Sequence, residues 1–253
     1  MAQLVVEDIH MRFAGVVALQ GVSLSVNQGE IFSLVGPNGS GKSTLFNCIN
    51  GFHRPQKGNI TYQSHDLLNC RPHAMAQWGI ARTFQNLQNI PYATVLDNVL
   101  LGAHIHFSLP DILRRSVSRK EREREEALAL EIMAFLGLVN YEQRILGSQP
   151  YGIQKLVELA RALVSRPKLL LLDEPAAGMN EQETLEMAKI ISEIREDFGI
   201  TVLVVEHDMN LVMSISDRIC VLDSGRIITI GTASQVKEHP EVQRVFLGAA
   251  THA

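Results

Sequence analysis

Cysteine is scarce and scattered: Cys48, Cys70 and Cys220 are the only three in 253 residues, and no two stand in a CxxC spacing. An odd, dispersed set excludes a disulfide framework and offers no zinc-ligand pattern, so these read as ordinary thiols in a reducing compartment. Long apolar runs are also missing. Nowhere do about 18 apolar residues follow one another, the length a bilayer-spanning helix needs. The N-terminal stretch mixes Glu7, Asp8 and Arg12 with its apolar residues, unlike an export signal. The expectation is a chain that is not exported and does not cross a membrane by itself. The third absence is an excess of positive charge. A formal net charge of -4 argues against the sequence-independent phosphate contacts of a nucleic-acid binder, whose partner face is basic. There is no internal repeat and no low-complexity tract.

What is present suffices for a large core, with 46% hydrophobic and 20% charged residues, fitting one globular unit or one core with an inserted lobe. Val22, Leu24 and Val26 alternate with Ser23 and Ser25, and Leu4 to Val6 is similar, which predicts antiparallel β at the front. Ile31 to Val35 is nearly all apolar and leads through a glycine-rich turn into Leu45, Phe46 and Ile49, the strand, loop, helix order of a nucleotide-binding βα unit. Further buried strands at Leu169 to Leu172 and Ile200 to Val205, each near a helical stretch, predict an α/β fold with a parallel sheet covered on both faces. Residues 87–151 have a different texture. Ser118 and Glu121 form a capping box, Leu128, Ile132, Phe135 and Leu136 share a helical face, and Gly137 stops the helix. The mixed charges from Arg119 to Glu126 read as a solvated face of that inserted helical subdomain. Asp223-Ser224-Gly225 between two apolar stretches is a hairpin signal.

Gly36-Pro37-Asn38-Gly39-Ser40-Gly41-Lys42-Ser43, followed by Thr44, fits GxxxxGK[ST] and sits after a buried strand and before a helix, where its mechanism requires it. The glycines let backbone N–H groups turn toward phosphate oxygens, Lys42 reaches the β and γ phosphates, and the Ser43 hydroxyl holds magnesium. The alternative is a mere tight turn. Nucleotide binding alone is shared by kinases, GTPases and motors. Leu169-Leu170-Leu171-Leu172-Asp173-Glu174 narrows the class: Asp173 ends a buried strand, suited to magnesium, and Glu174 is the candidate to orient and deprotonate water. Two helix-starting acids before Pro175 are the alternative.

With these two motifs, Phe84-Gln85, Ala176-Ala177-Gly178-Met179-Asn180 and Val205-Glu206-His207-Asp208 match the Q-loop, D-loop and switch histidine of the ABC ATPases in order and spacing. The chain resembles the nucleotide-binding subunit of that family over essentially its whole length. The resemblance implies a P-loop ABC ATPase core of residues 1–86 and 152–253, with a helical subdomain at 87–151 ending at the family signature. It implies ATP and magnesium as ligands, Gln85 at magnesium and the attacking water, and His207 at the γ phosphate. Phe13 aligns with the aromatic that stacks on adenine; a core Phe is its alternative.

The signature departs from the family's LSGGQ. Here Gln149-Pro150-Tyr151-Gly152-Ile153 stands in its place, and Pro150 supplies neither the serine hydroxyl nor a backbone N–H. In the family this segment clamps the γ phosphate held by the opposite subunit, so Pro150, Tyr151, Gly152 and Ile153 are the candidate residues acting in trans. More narrowly, Gly79 to Asn86, the Tyr151-Gly152 pair, Glu174 to Asn180, and Glu206 to Met209 followed by Ile215 to Ile219 resemble the branched-chain amino acid uptake systems, close to the kinds that import urea or short amides. That resemblance implies a peripheral protein on the cytoplasmic face of the cell membrane, paired with a second ATPase beneath two permease subunits and fed by an extracytoplasmic solute-binding protein. Two other readings stand beside it: a soluble ABC ATPase outside transport, and a regulatory ATP-binding half with little turnover.

Overall fold

The computed structural model describes residues 2–70, 72–83, 89–106 and 119–249. Along the chain run β1 (Ala2–Phe13), β2 (Val16–Asn27), β3 (Ile31–Val35), α1 (Lys42–Ile49), β4 (Lys57–Tyr62), β5 (His65–Asp66), α2 (Pro72–Gln77) and β6 (Ile80–Arg82). Then follow α3 (Val95–Leu100), α4 (Arg119–Phe135), α5 (Tyr151–Val164), β7 (Leu169–Asp173), α6 (Glu181–Phe198), β8 (Thr201–Val205), α7 (Met209–Ile215), β9 (Arg218–Asp223), β10 (Arg226–Gly231), α8 (Ala233–Glu238) and α9 (Pro240–Ala249). Two compact units emerge, one of residues 1–75 and 172–253, the other of 76–171. Among the described residues no helix is long and apolar enough to cross a membrane.

The first unit carries an antiparallel sheet in the order β2-β1-β4-β5. Strand β1 runs well beyond the expected Leu4 to Val6 because it contains a bulge. Asp8 sits at φ 50 and its backbone N–H donates to Ser23 Oγ at 2.8 Å, so two residues face outward before Ile9 and Met11 turn in again. The extra residue resets the alternation, which hides the strand from a period-of-two reading. In the second sheet of this unit β3 lies between β8 and β9 and is parallel to both, while β10 returns antiparallel on β9. Every residue of β3 and β8 is buried, as expected of strands covered on both faces. The Asp223-Ser224-Gly225 hairpin is present, and its Gly225 N–H donates to Ser40 O at 2.9 Å. The hairpin therefore braces the turn after β3.

In the second unit β6 pairs in parallel with β7, and helices α3, α4 and α5 form the remainder. Gly137 does end α4: at φ 70 it donates to Ala134 O, and Leu138 donates to Met133 O at 2.7 Å, the paired bonds of a left-handed helix stop. The buried face differs from the expected one. Glu125, Ala129, Ile132 and Met133 of α4 are buried together with Leu136, whereas Leu128 and Phe135 lie at its margin. Within the charged run, Glu125 is buried and accepts from Arg166 Nη2 at 3.0 and 3.2 Å. A strip of alternating charge gave no sign that one member points inward. Ser118 lies outside the described residues, so the capping box does too.

Candidate functional site

The turn joining β3 to α1 is shaped by what its glycines avoid. Gly41 sits at φ 105, and a Cβ there would lie 2.6 Å from Ala18 O. A Cβ on Gly36 would run into the carbonyl of Leu222 and lie 2.7 Å from Ser40 Oγ. A residue with a side chain cannot take this path at either position, so the backbone packs closely here. Gly41 caps α1 without any side-chain hydrogen bond, leaving the first N–H groups and the positive end of the helix for an anion.

Two polar groups at this turn fit a polyphosphate. Ser40 Oγ is buried and has no hydrogen-bond partner among the described residues. Lys42, 5% exposed, folds its Nζ back onto Gly36 O at 2.7 Å and Pro37 O at 3.1 Å. Burial holds its pKa below the usual lysine value, against the opposing pull of Glu174 and Glu206. A buried ammonium resting on two carbonyls gains from an arriving phosphate. Ser43 is exposed in the first turn of α1, and Thr44 follows, half-buried.

The acidic side of the site begins where β7 ends. Asp173 is buried, and Glu174 follows in a left-handed backbone conformation at φ 48, its N–H bound to Val205 O at 2.9 Å. An ordinary residue at positive φ costs about 1–2 kcal/mol, a strain that marks sites where side-chain direction matters. Neither Asp173 nor Glu174 starts a helix: the next helix, α6, begins at Glu181 behind its own capping box of Asn180 and Glu183, which leaves the helix-starting alternative for this pair unsupported.

His207, 59% exposed, sets Nδ1 at 3.9 Å from Glu174 Oε1 and 3.7 Å from Glu206 Oε2. Asp208 caps α7 by accepting from Asn210 N and Leu211 N. The residue that sequence reasoning passed over is Glu206, quoted only as part of a motif. An acid directly after the apolar run Val202 to Val205 was the available signal, since a buried charge at a strand end demands donors.

Phe13 is 40% exposed and packs edge-on against His53, with ring centroids 5.2 Å apart, so it is not a core Phe. In the second unit Pro150 caps α5 without a side-chain hydrogen bond, Tyr151 is exposed, and Gly152 and Ile153 are half-buried in the first turn. Gln154 folds back to donate to Gln149 O at 2.9 Å. Gln85 lies outside the described residues, as does Phe84. Among the described residues no three His, Cys, Asp or Glu side chains converge on a metal-sized point. Magnesium typically takes one or two protein oxygens and completes its shell with phosphates and water, a demand that Asp173 and Ser43 suit.

Residues 19–177 match the family model described as ABC transporter. The chain is 37% identical over 248 residues to the high-affinity branched-chain amino acid transport ATP-binding protein BraF of Pseudomonas aeruginosa, covering 97% of each. It is 38% identical over 248 residues to the corresponding protein LivG of Escherichia coli, again covering 97% of each. Among solved structures it resembles the ADP conformation of an ATP-binding cassette of an ABC transporter, with TM-score 0.86 and 35% identity over 98% of this chain and 99% of that one. A nucleotide-free cassette superimposes with TM-score 0.84 at 34% identity, over 97% of this chain and 99% of that one. A phosphate-binding turn of this shape belongs to many enzymes, but a match of this extent belongs to one family: the chain is a member of the ABC transporter family, as an ATP-binding protein that couples hydrolysis to transport.

Proposed function

We propose that this chain is the ATP-hydrolysing subunit of an uptake system for branched-chain amino acids. The near full-length similarity to proteins of that description carries the substrate class. The site supports the chemistry. Backbone N–H groups of Gly36 to Lys42 and the α1 N-terminus hold the phosphates of ATP, with Lys42 neutralising their charge and Phe13 offering a ring to adenine. Ser43, Asp173 and Gln85 would hold magnesium, which supplies charge neutralisation at the phosphates. Glu174 takes a proton from water as its oxygen attacks the γ phosphorus, ADP leaves, and His207 steadies the transferred group.

The chain acts on the cytoplasmic face of the cell membrane. Its partners are a second ATPase, whose ATP Pro150 to Ile153 would face, two permease subunits and an extracytoplasmic solute-binding protein. Closing the pair on ATP and reopening it after hydrolysis would drive alternating access in the permeases.

The test is uptake of labelled leucine, isoleucine and valine into cells, or vesicles rebuilt from the full system, with and without Glu174→Gln. Loss of ATP-driven uptake of these three supports the reading. Unchanged uptake of all three in cells lacking the chain refutes the substrate class.

A further inference from the structure

Glu206 is 1% exposed, and its carboxylate reaches the loops that carry the site. Its Oε1 accepts from the Ala176 N–H at 3.0 Å, in the turn that follows Glu174 and Pro175. Its Oε2 accepts from the His207 N–H at 2.9 Å and, more weakly, from the Asp208 N–H at 3.4 Å. The same oxygen lies 3.7 Å from His207 Nδ1. One buried carboxylate thus ties two separate loops, the one after β7 and the one after β8, and each loop presents a residue of the site. Glu174, left-handed at φ 48, is held by its own N–H on Val205 O, and the Glu206 carboxylate adds a side-chain tie in the turn that follows. Across these two loops Glu174 Oε1 and His207 Nδ1 lie 3.9 Å apart.

We propose that Glu206 is a positioning residue for hydrolysis, a carboxylate clamp that fixes the Glu174 turn and the His207 peptide to each other. The inference rests on the reading of Glu174 as the base and His207 as a γ-phosphate contact. Both carboxylate oxygens are needed, since a neutral amide in the same place turns an NH2 toward one of the N–H donors and leaves it without an acceptor. Misplacing the base by about 1 Å can cost about a hundredfold in rate.

The experiment compares Glu206→Gln and Glu206→Asp with the native chain in the assembled transporter, each alone and combined with Glu174→Gln. Steady-state phosphate release, affinity of the full-length chain for magnesium ATP and its unfolding midpoint are measured on the same preparations. The expected result is a fall in turnover of about tenfold to a hundredfold, with affinity held within about twofold. In the Glu174→Gln background the same changes should cost less than about twofold more, because the clamp acts through the residue already removed. Native turnover in both variants, or an equal loss in both backgrounds, overturns the proposal. So does loss of affinity or of cooperative folding in both variants, since the role would then be structural. If Glu174→Gln alone turns over at the native rate, the base assignment falls and the clamp with it; if Glu174→Gln is slow and both Glu206 variants are silent, only the clamp falls.

Discussion

At the scale of single residues the site gathers buried charged groups, Lys42, Asp173 and Glu206 among them. Lys42 carries its ammonium into a largely buried position, and burial lowers its pKa in the nucleotide-free chain. Phosphates raise it again, so at any pH between the lowered value and that of the complex, the complex binds more protons than the free chain, and affinity falls as pH rises past the lowered value. Calorimetry in two buffers of different ionisation enthalpy should record proton uptake on ATP binding there, and Lys42→Ala should lose about 1.5–3 kcal/mol of affinity. Cysteine chemistry runs the other way. Burial pushes the Cys48 thiol up to about 11 and Cys220 up to about 12, leaving almost no thiolate near neutrality. Alkylation at pH 8 followed by mass spectrometry should leave both unlabelled until the chain is denatured, with Cys70, which is only half-buried, labelled first. Motif residues such as Lys42 and Glu174 were legible because their spacing is diagnostic. Glu206 was not, because a lone acid shows its value only through the two N–H groups it meets in space.

At the scale of elements, apolar periodicity revealed what it governs and missed what polar groups govern. The all-buried β3 and β8 were plain from their nearly unbroken apolar runs, but the Asp8 bulge concealed the second half of β1. On α4 the charge run masked Glu125, whose bond to Arg166 is invisible without the fold. A second polar clamp behaves alike: Asn98, fully buried on α3, exchanges hydrogen bonds with both backbone groups of Ile90 and donates to Thr94 O, holding the 90–94 segment on its helix. Removing one partner of a buried ion pair costs about 3–5 kcal/mol, but Arg166 is 40% exposed and water screens what remains. Glu125→Ala should therefore lower unfolding free energy by about 1–2 kcal/mol in denaturant titration, and a cost indistinguishable from that of an exposed neighbour such as Glu123→Ala would show the pair to be idle.

At the scale of the whole molecule in its proposed assembly, the altered signature makes a prediction about two sites at once. In a head-to-tail ATPase pair the phosphate loop of this chain meets the partner's signature, whereas Pro150 to Ile153 meet the partner's ATP. With Pro150 lacking both hydroxyl and N–H, the weak site is the partner's, and Glu174→Gln should cost more turnover than the same change in the partner. Replacing Pro150 by Ser and Ile153 by Gln in a Glu174→Gln chain should then raise phosphate release, by up to about a hundredfold for one restored donor. No gain, or equal effects of the two glutamate blocks, would show the proline to be harmless. The backbone at Glu174 sets stability against turnover for the same reason that it serves the chemistry. Glycine is at ease at φ 48 where glutamate is not, so Glu174→Gly should leave a chain about 1 kcal/mol more stable, melting about 2–4 °C higher, with its hydrolysis gone. A library of variants sorted for heat resistance alone would enrich that change, and the sort would have bred a sturdier protein that no longer spends ATP.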